Sequence, residues 1–552
     1  VRPGREAWVL AAAAAVLLSA GLGRSDLFNP DEPREAEMAR EMLVSGDHVV
    51  PHLNGEPFLE KPPLFYWGVV TAYRLLGGPG ETAARLVPAL AGLLTVLLTY
   101  RMARDLLGAR AALVAALVLL TAFQFFWIAR RCLIDMPLTL AVLLVCFGFH
   151  RVATTAPEER TVGALVVGAV GLAAALLLKG IVGAAIPGLA VVAWLLLRRD
   201  LRPLLGRGLV LAVVVAFVPV ALWVLRLHEA LGADAVREFV VVNNVMRFTG
   251  GAAKGHDQPF WYYLPIVLGD FVPWAVLLPA ALVAAFRRAL GRAAAAADAA
   301  AEREVLRDLL AWFLLPVVVL SIASTKRGLY MLPVYPAAAM LIAWWLCRAT
   351  PRRGWLWLLW CAAALGAAAV VVIAVLADRG ALAAPAAAGL LLAAALGFAS
   401  FAVRRGDGRA TALGIAAVAG VSLLAAIVMT TPRIVNPGTS ARPAGEALRD
   451  LTARGADLAL YGFHEGSLGG ITFYAGRTFA NEKSAGALQR RLETGAQVVM
   501  RGDAVEAARR ALPFAIEETR RFRVRGRPSD DDANDYVLTR RAPVAAAAGA
   551  PP

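Results

Sequence analysis

Cysteine and charge are both scarce in this chain. Four cysteines occur among 552 residues, Cys132, Cys146, Cys347 and Cys361. All lie in or beside apolar runs without paired spacing, which excludes a disulfide framework and a zinc knuckle. Charged residues make up 18% of the chain against 59% hydrophobic, and the mean hydropathy is +0.62. No soluble core of this length could hide so much apolar surface, but a bilayer can. Neither a Walker A pattern nor a Gly-rich dinucleotide loop is present, so the common nucleotide sites are excluded. Acidic residues fall short of basic ones, 41 against 56, for a formal charge of +15. In a soluble protein that excess would raise nucleic acid as a partner.

The positions of the arginines decide otherwise. A membrane span needs about 20 predominantly apolar residues. Candidate spans fall near 8–23, 84–100, 111–128, 134–149, 161–178, 181–197, 208–227, 263–286, 309–323, 329–347, 354–376, 382–403 and 410–430. The first run lacks a small-x-small cleavage site and reads as a retained span. With a cytoplasmic N-terminus, alternate connections carry Arg101/Arg104/Arg110, Arg198/Arg199/Arg202/Arg207, Arg287/Arg288/Arg292, Arg348/Arg352/Arg353 and Arg404/Arg405/Arg409. That is the positive-inside pattern, and it makes nucleic acid an unneeded explanation. The expected fold is an all-α polytopic membrane bundle of about thirteen transmembrane helices over residues 1–430. The odd number leaves residues 431–552 outside.

Two outer connections are too long and polar to be turns, 24–83 and 228–262, and long loops in compact proteins are usually functional. In the first, Asn29-Pro30 leads into DEPREAEMAREMLVSG, an amphipathic helix that stops at Gly46 and is expected along the membrane surface. A second short helix, LFYWGVVTAYRLL, follows Lys61-Pro62-Pro63. From 431 to 541, β-prone runs (LALYGF, ITFYAG, QVVMRG, FRVRG, YVLTRR) alternate with helical stretches near 443–453, 484–493 and 503–511. They predict a small extracytoplasmic α/β domain, with a disordered tail at 542–552.

Five polar clusters fall on the outer side, and each has an ordinary structural reading. Asp31-Glu32-Pro33-Arg34 begins the first-loop helix, where a carboxylate can simply cap. Glu60-Lys61 can be a loop ion pair. Arg130-Arg131 with Asp135 can be mutual pairing on a side where arginine is unexpected. Lys179 at the outer end of the fifth span can snorkel. Lys254-Gly255-His256-Asp257 with its aromatics, then Ser324-Thr325-Lys326-Arg327 and Tyr330, form the last cluster, and a lone histidine beside aromatics is most often structural. Together they describe a cationic, aromatic-lined outer site containing carboxylates. Such a site suits a membrane-borne phosphate and a sugar: cations match charge developing on a leaving phosphate, and a carboxylate takes a proton from an attacking hydroxyl. With no nucleotide site, the energy source must arrive already activated and in the membrane.

In order as well as in type, DEPREAEMAREMLVSGDHVVPHLNGEPFLEKPPLFYW, RRCLIDMP, LLLKGIVG, GHDQPFWYYLPI and STKRGLYMLPVYP resemble the C-type, polyprenyl-phosphate-dependent glycosyltransferases. Within these the sequence is most similar to bacterial aminoarabinose transferases of lipid A, grouped with protein O-mannosyltransferases. The resemblance covers roughly residues 8–345 by motif. It implies that Asp31 is the catalytic carboxylate, with Arg34 in the donor site. Lys61, Arg131, Asp135, Lys179 and Lys326 would line the phosphate and sugar site, with Tyr330 beside the donor. Glu60 and His256 would correspond to a metal-binding pair for zinc or a similar divalent ion, the one cofactor implied. The expected partners are a polyprenyl-phosphate sugar donor and a lipid, glycan or protein acceptor, at the outer face of the bacterial inner membrane. Two departures stand out: Pro33 replaces the usual alanine after Asp-Glu, and Lys326-Arg327 replaces a usual lysine-leucine pair. A competing reading is a transporter or flippase of lipid-linked sugars. Transporters show internal repeats and midplane charges, whereas the charges here gather at one end.

Overall fold

A computed structural model describes residues 5–28, 30–154, 162–199, 206–246, 258–272, 274–291, 297–323, 326–348, 440–523 and 535–543. The expected spans at 354–376, 382–403 and 410–430 and nearly all of the expected disordered tail lie outside the described residues. Among those described, six helices are long and apolar enough to cross a membrane, or seven if one bent pair counts as a single span.

The chain opens with α1 (Arg5–Ser19) and α2 (Asp31–Ser45), then a two-residue-strand hairpin, β1 (His52–Leu53) and β2 (Glu56–Pro57), and α3 (Leu64–Leu75). The hairpin was not foreseen, although its Asn54-Gly55 turn is a strong signal. Both residues take positive φ, 56° and 82°, as a two-residue turn with the twist of the strands requires. The bundle continues with α4 (Glu81–Leu107), α5 (Ala109–Leu120), α6 (Phe123–Ala129), α7 (Asp135–Thr154) and α8 (Val162–Arg198). Helices α5 and α6 meet at 67°.

Helix α8 is 37 residues long, but it is broken at Lys179 and at Gly180, whose φ of 62° and ψ of −147° suit only glycine. Its two halves fold back on one another. A Cβ at Gly183 would stand 2.2 Å from the carbonyl oxygen of Ala175. Lys179 is therefore at the point of reversal.

Helix α9 (Arg207–Arg237) and a π-helical turn (Glu238–Met246) extend well into the region expected to be an outer loop. The extension holds because Trp223, Leu227, Ala235 and Phe239 pack against Val50 and Leu59 of the first loop, while Trp223 Nε1 donates to the Val49 carbonyl at 3.0 Å. The expected span at 263–286 is in pieces: α10 (Tyr263–Asp270), a 3-10 turn at Trp274–Val276 and α11 (Leu278–Leu290). The Asp270 carboxylate at the break accepts the Tyr335 hydroxyl at 2.8 Å. Then come α12 (Ala297–Ile322), a 3-10 segment at Gly328–Val334 and α13 (Tyr335–Arg348).

The region from 440 onward folds as α14 (Arg442–Ala453), β3 (Leu458–Tyr461), α15 (Glu465–Ala475), β4 (Ala480–Glu482), α16 (Ala485–Glu493), β5 (Gln497–Arg501), α17 (Gly502–Ala511), β6 (Ile516–Phe522) and β7 (Tyr536–Arg541). The strands form one mixed sheet in the order β4-β3-β5-β7-β6, parallel from β4 to β5 and antiparallel beyond. The β-prone run ITFYAG is not a strand. It closes α15, which His464 and Ser467 cap reciprocally at one end and Gly476, at φ 75°, terminates at the other. The run at FRVRG also reads differently, since β6 ends at Phe522.

Helix α15 lies on α2. Residues 32–42 of α2, the helix expected along the membrane surface, are buried throughout, so protein covers its polar face. Its charges are buried in pairs: Arg40 makes a two-pronged ion pair with Glu37 at 2.6 and 2.7 Å and donates to the Gly476 carbonyl at 3.1 Å. Glu41 accepts the Asn54 and Gly55 amides at 2.5 and 2.8 Å. Asn54 exchanges two hydrogen bonds with the Phe479 backbone, and the Leu27 amide donates to the Tyr474 hydroxyl at 2.7 Å.

Candidate active site

The first turn of α2 is fixed by Glu32. Its carboxylate accepts Arg85 Nε and Nη2 at 2.8 and 2.9 Å, Arg131 Nη1 at 2.9 Å, and the amides of Phe28 and Cys132 at 2.8 and 2.7 Å. Arg131 is stacked between Trp127 and Phe28, 3.9 and 4.4 Å from the ring centres. Burial alone would raise the Glu32 carboxyl. The two guanidiniums and these hydrogen bonds outweigh it and bring the pKa down to about 2. Arg131, expected to line the phosphate site, is thus engaged with Glu32. Its neighbour Arg130 caps α1 by donating to the carbonyls of Leu17, Leu18 and Ala20.

With that turn held, Asp31 stands at the helix start, 26% exposed, with Arg34 Nη2 3.0 Å and Arg327 Nη2 3.8 Å from the same Oδ1. Arg34 also reaches Glu35 at 3.1 Å and, from the C-terminal domain, Glu465 at 3.6 Å. Glu35 is the anchor that the sequence reading missed. It is buried, pairs with Lys61 and accepts the Tyr66 hydroxyl at 2.9 Å. Burial would raise its carboxyl, but Lys61, Arg34 and the hydrogen bonds lower it to about 2. The one available signal was its spacing, one helical turn beyond Asp31 on the same face. Glu60 is within electrostatic reach of both Arg34 and Tyr66.

A second group adjoins this one. At the reversal of α8, Lys179 Nζ donates to Asp135 Oδ1 at 2.7 Å and lies 4.6 Å from the centre of the Tyr330 ring. Arg327, three residues before Tyr330, acts electrostatically on Lys179 and also faces Asp31, linking the two groups. Lys326 does not face Asp31. Its ammonium donates to the carbonyls of Gln258 and Ala323 at 2.7 and 2.5 Å, because the chain turns there and leaves those oxygens without helical partners. His256 lies outside the described residues. Among the described residues, no group of three or more His, Cys, Asp or Glu side chains is placed to hold a metal ion.

The site is thus a carboxylate between two guanidiniums, backed by a buried Glu-Lys-Tyr anchor and flanked by a lysine on a tyrosine face. Over residues 60–224 the chain matches the family described as dolichyl-phosphate-mannose-protein mannosyltransferase. It resembles the undecaprenyl phosphate-α-4-amino-4-deoxy-L-arabinose arabinosyl transferase of Edwardsiella ictaluri, at 34% identity over 59% of this chain and 57% of that protein. A Proteus mirabilis transferase of the same description is 36% identical over 57% of this chain and 55% of that one. The chain spans little more than half the length of these curated relatives. Its fold is similar to that of ArnT from Cupriavidus metallidurans bound to undecaprenyl phosphate, with a TM-score of 0.77 and 26% identity, covering 99% of this chain and 100% of that one. The archaeal oligosaccharyltransferase AglB from Archaeoglobus fulgidus shares the fold at a TM-score of 0.50 and 13% identity, over 90% of this chain and 69% of that one.

Proposed function

We propose that this chain is an integral membrane glycosyltransferase that moves a sugar from a polyprenyl-phosphate donor to an acceptor at the outer face of the cytoplasmic membrane. The observation that carries the reading is the grouping of Arg34, Arg327 and Lys61, from three separated segments of the chain, about Asp31 and Glu35: Arg34 and Arg327 face Asp31, and Arg34 and Lys61 meet on Glu35. In the transfer, the bond between the anomeric carbon and the phosphate oxygen breaks and a bond to an acceptor oxygen forms. The cations stabilise the departing polyprenyl phosphate as it gains charge. Asp31 orients an acceptor hydroxyl and takes its proton; a phosphate acceptor needs no base, and Asp31 then orients it. Lipid A, another envelope glycan and a protein hydroxyl are the acceptor classes in play. The relatives described above are named for aminoarabinose transfer, and lipid A is the acceptor proposed first.

The proposal places residues 431–541 outside the membrane, over a bundle of residues 1–430 whose N-terminus is cytoplasmic. A divalent metal on Glu60 and His256 belongs to the same proposal. It would neutralise charge on the donor phosphate, and no step above depends on it. The relatives named here are transferases, which favours chemistry over a flippase.

The test reconstitutes the full chain in vesicles with a labelled sugar on polyprenyl phosphate. Label should appear on an added acceptor with release of free polyprenyl phosphate, and Asp31→Asn should lower kcat by about 10²- to 10⁴-fold. Movement of intact donor across the bilayer without cleavage would overturn the reading.

A further inference from the structure

The cations of these polar groups differ in how firmly they are held. Lys61 pairs with buried Glu35, Arg34 with Asp31 and Glu35, Arg131 with Glu32, Lys179 with Asp135, and Lys326 with two backbone carbonyls. Arg327 is the exception. Its side chain is 36% exposed, against 6% for Arg34, and its ion pair with Asp31 is 3.8 Å long, beyond hydrogen-bond distance. It belongs to the segment that carries Tyr330, so it is placed between the Asp31 group and the Asp135-Lys179 group.

We infer that Arg327 is a further donor-binding residue, which exchanges its loose contact with Asp31 for the phosphate of the polyprenyl donor. This rests on the reading given under Proposed function and adds to it a residue and an order of events. A guanidinium binds a phosphate through two parallel charge-assisted hydrogen bonds of about 2.7–2.9 Å, stronger than an ion pair at 3.8 Å. The exchange is therefore downhill. Asp31 keeps Arg34 at 3.0 Å on Oδ1 and so stays in place, while the side of that carboxylate facing Arg327 is freed for the acceptor hydroxyl. Donor binding and acceptor orientation are coupled through one side chain. Lysine at this position would keep the charge but lose the fork.

The experiment measures the affinity of the purified full chain for undecaprenyl phosphate, with donor KM and kcat alongside. Arg327→Gln should weaken phosphate binding about 10- to 100-fold, as loss of hydrogen bonds to a charged group does, and Arg327→Lys should fall between it and the parent. Asp31→Asn removes the competing anion. It should tighten phosphate binding when Arg327 is present and leave it unchanged in the Arg327→Gln background. Unfolding temperatures matched to the parent establish that the variants are folded. Phosphate binding by Arg327→Gln within twofold of a parent that does bind would overturn this inference and leave the transferase reading intact. Failure of Asp31→Asn to tighten binding would overturn the exchange, and a parent that binds no polyprenyl phosphate would overturn both readings.

Discussion

Glu32 and Glu35 lie one helical turn apart on α2, and each gathers cations from a different part of the chain. Glu32 holds Arg85 of α4 and Arg131 before α7, while Glu35 holds Lys61 before α3 and its own neighbour Arg34. A buried carboxylate with such partners is costly to break, because removing one member leaves a charge without compensation. Both carboxyls have pKa values of about 2 in the folded chain, against 4.5 when unperturbed. Between these values the unfolded chain binds protons that the folded chain refuses, so stability rises with pH across this window. The contribution is complete above about pH 4.5 and is lost as pH falls towards 2. Unfolding temperatures of the detergent-solubilised protein from pH 6 to pH 3 should decline below about 4.5, less steeply in Glu35→Gln. A flat profile would show that these pairs do not hold α2.

At the scale of elements, the contact between α2 and α15 couples the C-terminal domain to the site. A Cβ added at Gly469 would come within 2.4 Å of the Arg34 Cα, so the two backbones touch at the helix that carries Asp31. Gly469→Ala should cost about 1–3 kcal/mol through overpacking. It should also lower kcat, since a small displacement of a catalytic group costs up to about a hundredfold. Gly495→Ala, strained at φ 86° in the turn between α16 and β5 with open space around it, should lower the unfolding temperature while sparing kcat. Equal kcat in Gly469→Ala and the parent would mean that α15 only covers α2. This contact was not legible in the sequence. The pattern of DEPREAEMAREMLVSG marks α2 as amphipathic, but its buried charges are satisfied by Gly476, Asn54, Gly55 and one another, and long-range partners leave no periodic trace. The breaks were readable to different degrees. Lys179-Gly180 fell at the reversal of α8, because a glycine at a span end is a local signal. The extension of α9 past residue 227 was missed because packing of Trp223 and Phe239 on the first loop decides it.

Across the whole molecule, hydropathy marks helices apolar enough to cross a membrane, six or seven among the described residues, because that property is written in local composition. The grouping of the site residues was legible only in part. Arg34 pairs with Asp31 and shares Glu35 with Lys61, Lys179 pairs with Asp135 beside Tyr330, and Arg131 and Lys326 are taken up by Glu32 and by backbone carbonyls. Which of two adjacent basic residues faces the site depends on where the chain turns, as Lys326 and Arg327 show. Everything proposed for the reaction depends on the donor phosphate sitting among Arg34, Lys61 and Arg327 beside Asp31. An electron cryomicroscopy structure of the full chain with undecaprenyl phosphate tests that directly. Phosphate density should contact Arg327 and Lys61, with Asp31 on the side of the anomeric carbon. Phosphate bound instead at the Glu32–Arg85–Arg131 cluster, or at the far end of α7 from Asp135, where His150 meets Asp308 at 3.0 Å, would contradict it.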